Sequence, residues 1–323
     1  MTSVPREQLI TGVAGQDGVL LARLLRHEGV PVVGTVRPGS GEAAAMAAYL
    51  TGVEVVEHDV RDLDGFRALV TQHRPAVVYN LAAASSVGRS WAEPALTMAV
   101  NGEAVVGILA ALEDHPDIRF VQASSAEIWR AGAASPYARA KLLAHEATRR
   151  ARESGRFCSA AVLHVHESPL RPPTFVMRKV SRAVAEIAEG RRDTVTLGNL
   201  DARRDWGSAV DSVRALRLLA SADEPAEVEV CTGVLSCLRD LVAHAFAAAD
   251  ITDPWAHVEL DAALQRPADG DESAGDPEPV RRLLGWTART PITETITQMV
   301  ATDRRRLVTG VEEDPAYLAE RLG

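Results

Sequence analysis

A chain of 323 residues with 46% hydrophobic and 24% charged content is long enough for one large domain, or for a core domain with a smaller partner, and can bury a full core. Its net charge of -9 and pI near 5.5 exclude a broad nucleic-acid or anionic-membrane surface, while leaving room for a local basic pocket. Cys158, Cys231 and Cys237 have no metal-ligand spacing and cannot all pair, so they are expected to be reduced core thiols, and no metal site is predicted. The polar N-terminal residues lead straight into a strand, and no apolar run approaches 20 residues. A cytoplasmic protein with no membrane and no nucleic-acid partner is the expectation.

A strand is predicted over 8–11, breaking at Gly12. Gly12, Gly15 and Gly18 then open an apolar helix over 18–27, with Gln16 and Asp17 between them. Glycines there let the backbone turn tightly and approach a pyrophosphate, and the helix N-terminus favours negative charge. A second strand, 31–36, ends in Arg37 with no acid beside it. An arginine there accommodates the 2'-phosphate of NADP, so NADP is favoured over NAD, although a solvated loop arginine fits the sequence nearly as well. Asp59 and Val60 follow the strand 53–57; Asp59 meets the adenine edge of a cofactor or caps the helix over 63–72. The strand 76–81, ending at Leu81, runs into Ala82, Ala83, Ala84, Ser85 and Ser86, small residues that admit close backbone approach. With helices over 98–113 and 137–153, strand–helix alternation predicts an α/β fold, a Rossmann-type doubly wound parallel sheet with a smaller C-terminal substrate-binding domain.

The chemistry concentrates in the stretch VQASSAEIWRAGAASPYARAK, residues 121–141. A strand over 118–121 leads to Ser125 and Glu127, and the next helix carries Tyr137 and Lys141 on one face. An ammonium beside a phenol favours the phenolate, which makes Tyr137 a candidate base with its pKa lowered toward the working pH. Ser125 and Glu127 are expected in the same crevice, at the carboxyl ends of the strands. Each of the four has a plainer role available: amphipathic pair, strand-end cap or solvated acid.

Together, Gly12-x-x-Gly15-x-x-Gly18, Asn80-Leu81-Ala82-Ala83, Ser125-x-Glu127 and Tyr137-x-x-x-Lys141 resemble the extended short-chain dehydrogenase/reductase family. ITGVAGQDGVLLARLL, YNLAAASSV, SPYARAK, HESPLRPPTFVMRKVSRAVAEIAEG and LGNLDARRDWGSAVD look like its GDP-mannose 4,6-dehydratase branch, from Leu9 to about Met299. The resemblance implies a redox-neutral dehydration on tightly bound NAD(P). Tyr137, held by Lys141, would deprotonate a sugar hydroxyl; Glu127 would remove the acidified proton and protonate the departing hydroxyl; Ser125 would hold the carbonyl oxygen. It also implies cofactor contacts from His166 and sugar-side contacts from Ser85, Ser86, Val165, Glu167, Arg171, Arg204 and Arg266, with Arg204 or Arg266 on a diphosphate.

Departures from the family pattern lie on the substrate side. Only seven residues separate Glu127 from Ser135, where the family inserts a covering segment. Ala84 and Ser86 replace its Gln and His, Val165 replaces its Asn, and Pro38 stands where a second Arg is usual. Losing a buried donor costs roughly 1 to 3 kcal/mol. Retained chemistry with a changed sugar pocket therefore predicts 4,6- or 5,6-dehydration of another nucleotide-linked or nucleoside sugar, in secondary metabolism such as antibiotic biosynthesis. GDP-mannose dehydration, epimerisation and ketone reduction are the competing expectations. Residues 1–167 are expected to form the cofactor domain, with 206–232 returning to it. The ranges 168–205 and 233–323 would form the smaller domain, and the resemblance to the wider family implies a homodimer or homotetramer, with the helices 98–113 and 137–153 packing as a four-helix dimer interface.

Overall fold

A computed structural model describes residues 6–129, 135–264 and 274–318. The strands are β1 (Gln8–Thr11), β2 (Val32–Val36), β3 (Glu54–Glu57), β4 (Val77–Asn80), β5 (Arg119–Ser125), β6 (Cys158–Leu163), β7 (Val165–Glu167), β8 (Val195–Leu197), β9 (Arg203–Ser208), β10 (Glu227–Val230), β11 (Leu235–Cys237) and β12 (Val258–Leu260). The α-helices are α1 (Gln16–His27), α2 (Glu42–Ala45), α3 (Leu63–His73), α4 (Val87–Ser90), α5 (Pro94–Met98), α6 (Ala104–Ala111), α7 (Pro136–Glu153), α8 (Val176–Ala188), α9 (Ala209–Ser221), α10 (Leu238–Ala247), α11 (Glu278–Leu284) and α12 (Ile292–Thr309). Seven strands make one sheet in the order β10-β6-β5-β4-β1-β2-β3, and every neighbouring pair in it is parallel. The order reverses between β1 and β4, so their carboxyl ends open a crevice at the topological switch point.

Apolar clusters cover both faces. α1 and α9 pack one face through Val19, Leu20, Leu21, Val213 and Leu216, and α3, α6 and α7 pack the other through Phe66, Val70, Ile108 and Ala144. Gly18 inside α1 costs about 1 kcal/mol relative to alanine. Burial of Val19, Leu20, Leu21 and Leu25, each worth roughly 1.5–3 kcal/mol, outweighs it. A third cluster ties α8, α10 and α12 together around Met177, Trp206, Phe246 and Met299. There β9 pairs with β7 and β11 in a three-stranded sheet, and β8 pairs with β12.

Several boundaries differ from the sequence reading. β5 extends through Ser124 and Ser125 because β6 pairs with them, Ser124 to Val162 and Ser125 to Leu163. The helix predicted over 98–113 begins at Pro94, which needs no amide donor in a first turn, and is interrupted by a π-turn at Ala99–Glu103. The helical stretch Pro94–Ala111 is by length and composition alone apolar enough to cross a membrane, although Asn101 and Glu103 interrupt its apolar run. It packs against α3 and α7. Trp206 does not return to the main sheet: pairing of β9 with β7 and β11 keeps it in the third cluster, and the chain re-enters at α9 and β10.

Candidate active site

The carboxyl ends of β1, β4 and β5 are cross-linked by polar side chains from otherwise apolar strands. Thr11 donates its hydroxyl to Asn80 Oδ1 at 2.7 Å and accepts from the Leu81 and Ala82 amides, both at 3.2 Å. Asn80 Nδ2 continues to Gln122 Oε1 at 2.9 Å, and Gln122 Nε2 to the Ala123 carbonyl at 2.9 Å. From the π-turn, Asn101 accepts from the Ala84 amide at 2.7 Å and donates to the Ala84 carbonyl at 3.0 Å. Thr11, Gln122 and Asn101 were missed from sequence. The available signal was a polar residue inside each apolar run.

Gly12 has φ +72°, and a Cβ there would stand 2.8 Å from the Ala82 α-carbon; at Gly18 it would meet the Gly12 carbonyl oxygen at 2.4 Å. The turn can therefore lie directly against the start of the β4 loop. Gly15 caps α1 without a side-chain hydrogen bond, which leaves first-turn amides for an anionic ligand.

α7 starts at Pro136, with Ser135 capping it through the Ala138 amide. It buries Tyr137 and Lys141 against β5. The Tyr137 phenol faces the Ser125 hydroxyl and feels Glu127, Arg171 and Asp17. Ser125, at the last position of β5, also accepts from the Glu127 amide at 3.3 Å. Ser125, Glu127, Tyr137 and Lys141 thus meet at one strand end, and Glu127 is half-buried on the short helical turn after it.

The expected lowering of the Tyr137 pKa is not found. Burial pushes the phenol up to about 12, with the Ser125 hydrogen bond working against it and the Glu127 charge with it. Lys141 does not offset this, because its Nζ donates to the Ala123 carbonyl at 2.8 Å and lies 5.9 Å from the phenol ring centroid. Burial also lowers the Lys141 ammonium to about 8, against the pull of Asp17.

An ion-pair cluster on α1 and β7 stands within electrostatic reach of Tyr137 and Lys141. His166 Nδ1 donates to the His164 carbonyl at 2.7 Å, and Nε2 faces Asp17 Oδ1 and Oδ2 at 3.1 and 3.0 Å. Both ring nitrogens thus face oxygen acceptors, as in an imidazolium. Burial opposes both charges, but the pairing prevails, so Asp17 lies below and His166 above its ordinary value. Gln16 ties the pair down through the His166 carbonyl at 3.3 Å and accepts from Ser168 at 2.9 Å. Glu167 is 1% exposed, and burial raises its pKa against the pull of Arg171. Arg171 stacks on Phe175 at 3.8 Å, its Nε 3.5 Å from Glu167 Oε2, and neither of those atoms makes a hydrogen bond among the described residues.

The other predicted residues divide. Leu81, Ala82 and Ala83 line the strand end half-buried, Val60 is buried and Val165 stands opposite Trp206. Ser85 is exposed, and Ser86 caps α4 through the Arg89 amide at 3.2 Å. Arg37 is not free of acids: α2 folds Glu42 back to 3.3 Å from its guanidinium, and Glu57 on β3 accepts from the neighbouring Gly39 amide at 3.2 Å. Asp59 does not cap α3, since Asp62 accepts from the Gly65 amide there. Instead Asp59 clamps Arg61 at 2.6 Å, and that hydrogen bonding holds its carboxyl down at about 2. Arg204 donates to the Arg203 carbonyl at 2.7 Å. Arg266 lies outside the described residues, as does most of the loop after Asp261. Away from the crevice, at the amino end of the sheet, Glu7, Glu54 and His73 bring ligand-type atoms within 4.8 Å of one another; none was singled out in the sequence.

Comparison with known proteins agrees with this architecture. The chain is 33% identical over 335 residues to the GDP-mannose 4,6-dehydratase of Sinorhizobium fredii, covering 91% of this chain and 95% of that one. A UDP-glucose 4-epimerase from Thermotoga maritima, solved with UDP-glucose, shares the fold with a TM-score of 0.82 at 20% identity, over 93% of this chain and 99% of that one. A dTDP-glucose 4,6-dehydratase from Bacillus anthracis, solved with NAD, does so with a TM-score of 0.78 at 14% identity, over 92% and 96%. A family model described as GDP-mannose 4,6 dehydratase matches residues 9–299, and with most of its length so matched the chain belongs to that family.

Proposed function

We propose that the protein is an NAD(P)-dependent sugar dehydratase acting on a nucleotide-linked or nucleoside sugar. The observation that carries this reading is the meeting of Ser125, Glu127 and Tyr137 at the end of β5, one helical turn from Lys141. The glycine turn, the uncapped N-terminus of α1 and the small residues Ala82 and Ala83 after Leu81 fit a dinucleotide, with Arg37 or its neighbours at the ribose. When bound, the cofactor supplies the hydride acceptor and donor. As the phenolate, Tyr137 takes the proton of a sugar hydroxyl as that carbon is oxidised, and Arg171 offsets its charge. Ser125 hydrogen-bonds the ketone oxygen, which acidifies the adjacent C–H. Glu127 removes that proton and returns it to the departing hydroxyl as water. The Asp17 carboxylate beside the pyrophosphate turn is offset by His166, so it need not repel the dinucleotide. Residues 1–167 with 206–232 would serve the cofactor, and the remaining chain the sugar.

Mass spectrometry of products from GDP-mannose, other nucleotide sugars and nucleosides tests the reading. Loss of one water with no net change in cofactor redox state supports it. Epimer formation without loss of water, or stoichiometric cofactor reduction, overturns it. Turnover of GDP-mannose to a 4-keto-6-deoxy product at ordinary enzymatic rates would favour the family activity over a changed sugar.

A further inference from the structure

α7 grips β5 at three successive turns. Tyr137 faces the Ser125 hydroxyl, Lys141 donates to the Ala123 carbonyl at 2.8 Å, and His145 Nδ1 lies 3.0 Å from the Ser124 hydroxyl. These helix positions are spaced by four, so they lie on one face, and their partners are consecutive in the strand. His145 then reaches further. Its Nε2 lies 3.3 Å from Glu227 Oε2 on β10, the strand on the far side of β6 from β5. Arg152, two turns along the same helix, holds that carboxylate at 3.0 Å, and the hydrogen bonding, led by His145, keeps Glu227 ionised down to about 2. One ring nitrogen thus faces a fixed anion and the other the Ser124 hydroxyl. His145 is 7% exposed and Ser124 4%, so their contact is shielded from bulk water, whereas the Glu227 side chain is 32% exposed.

We propose that His145 is a positioning residue for the reacting pair: by bridging Ser124 to Glu227 it fixes the placement of α7 along β5, and with it Tyr137 and Lys141 relative to Ser125. It touches no reacting atom. The hydroxyl it holds belongs to the residue between Ala123, which anchors Lys141, and Ser125, which meets the phenol. A shift of the helix along the strand would disturb both contacts together, and misplacement by about 1 Å can cost on the order of 100-fold in rate.

The proposal rests on the dehydratase reading only for its turnover measurement. Lys141 and Lys179 are the only lysines in the sequence, so carbon-13 lysine NMR of the cofactor-bound chain has two side-chain signals to follow. Lys179→Arg assigns them, Lys179 being bonded to the Thr196 carbonyl on β8. In His145→Leu the Lys141 titration should move up by about one unit or more toward the ordinary lysine value. With a sugar that the wild type turns over, kcat should fall at least about tenfold at little-changed KM. His145→Gln, which keeps an acceptor and a donor, should recover most of both. A folded His145→Leu protein in which either quantity is unmoved overturns the proposal. If that variant does not fold, Glu227→Gln is judged by the same measurements. Should the wild type turn over no sugar in the panel, the dehydratase reading fails, while the Lys141 titration still decides the role of His145.

Discussion

Lys141 donates to the Ala123 carbonyl at 2.8 Å and stands 5.9 Å from the Tyr137 ring centroid, so in this state the cation anchors the strand rather than the phenol. Tyr137 keeps its proton up to about 12 and Lys141 gives one up at about 8, both chiefly because they are buried. The crevice is therefore set for a substrate hydroxyl and a cofactor charge to complete it.

A buried ammonium carries a stability penalty whose pH window follows from its shift. The folded value of about 8 lies below the ordinary 10.5, so the penalty is full below about 8, fades between the two values and vanishes above 10.5. Lys141→Met should raise stability by on the order of 2 kcal/mol near neutral pH and by less at about pH 10. Turnover should fall by at least about 100-fold. Urea unfolding at both pH values, alongside a product assay, checks the pair; a variant less stable than the parent near neutrality would contradict it.

Glu127→Gln separates elimination from oxidation. The amide cannot take the acidified proton, but Tyr137 and Ser125 keep their places, so oxidation should proceed and stall. Turnover should fall roughly 100- to 10,000-fold, with reduced cofactor accumulating at 340 nm in a single-turnover experiment. Equal loss of the oxidation step would assign Glu127 to binding instead.

The sheet was readable because Gly12, Gly15 and Gly18 interrupt an apolar pattern that otherwise alternates strand with helix, and because Tyr137 and Lys141 fall one turn apart. Charge state was not readable, since the phenol's environment depends on what Lys141 bonds instead, and the Ala123 carbonyl carries no sequence signal. The same holds for Arg37. Its partner Glu42 is only five residues away, but the left-handed Gly41 and the four-residue α2 decide that they meet. Asn101 escaped notice because an asparagine in an apolar helix reads as a weak position, while the π-turn aims it at Ala84.

The Arg37–Glu42 pair predicts how cofactor preference can be moved. Both side chains are solvent-exposed, so the ion pair itself is worth little, about 0–1 kcal/mol. Glu42→Gln should leave stability unchanged and raise affinity for NADP over NAD several-fold by freeing the guanidinium for a 2'-phosphate. Arg37→Ala should move the ratio the other way. Fluorescence titration with both reduced cofactors measures it; an unmoved ratio in both variants would place the ribose elsewhere.

Asp17 and His166 form the ion pair on which the cofactor side of the crevice is built. Asp17 lies below its ordinary 3.8, so its contribution is present above that value and lost as pH falls through the folded one; His166 lies above 6.5, so its contribution is full below that and lost as pH rises through the folded one. Stability from the pair is therefore greatest between 3.8 and 6.5. Asp17→Asn leaves a buried imidazole with no anion, and the loss relative to wild type should reach about 3 kcal/mol near pH 5 and shrink toward pH 9. Chemical unfolding at the two pH values gives the difference directly. A loss that does not depend on pH would mean that the introduced amide fails by packing and that His166 is neutral in the native protein.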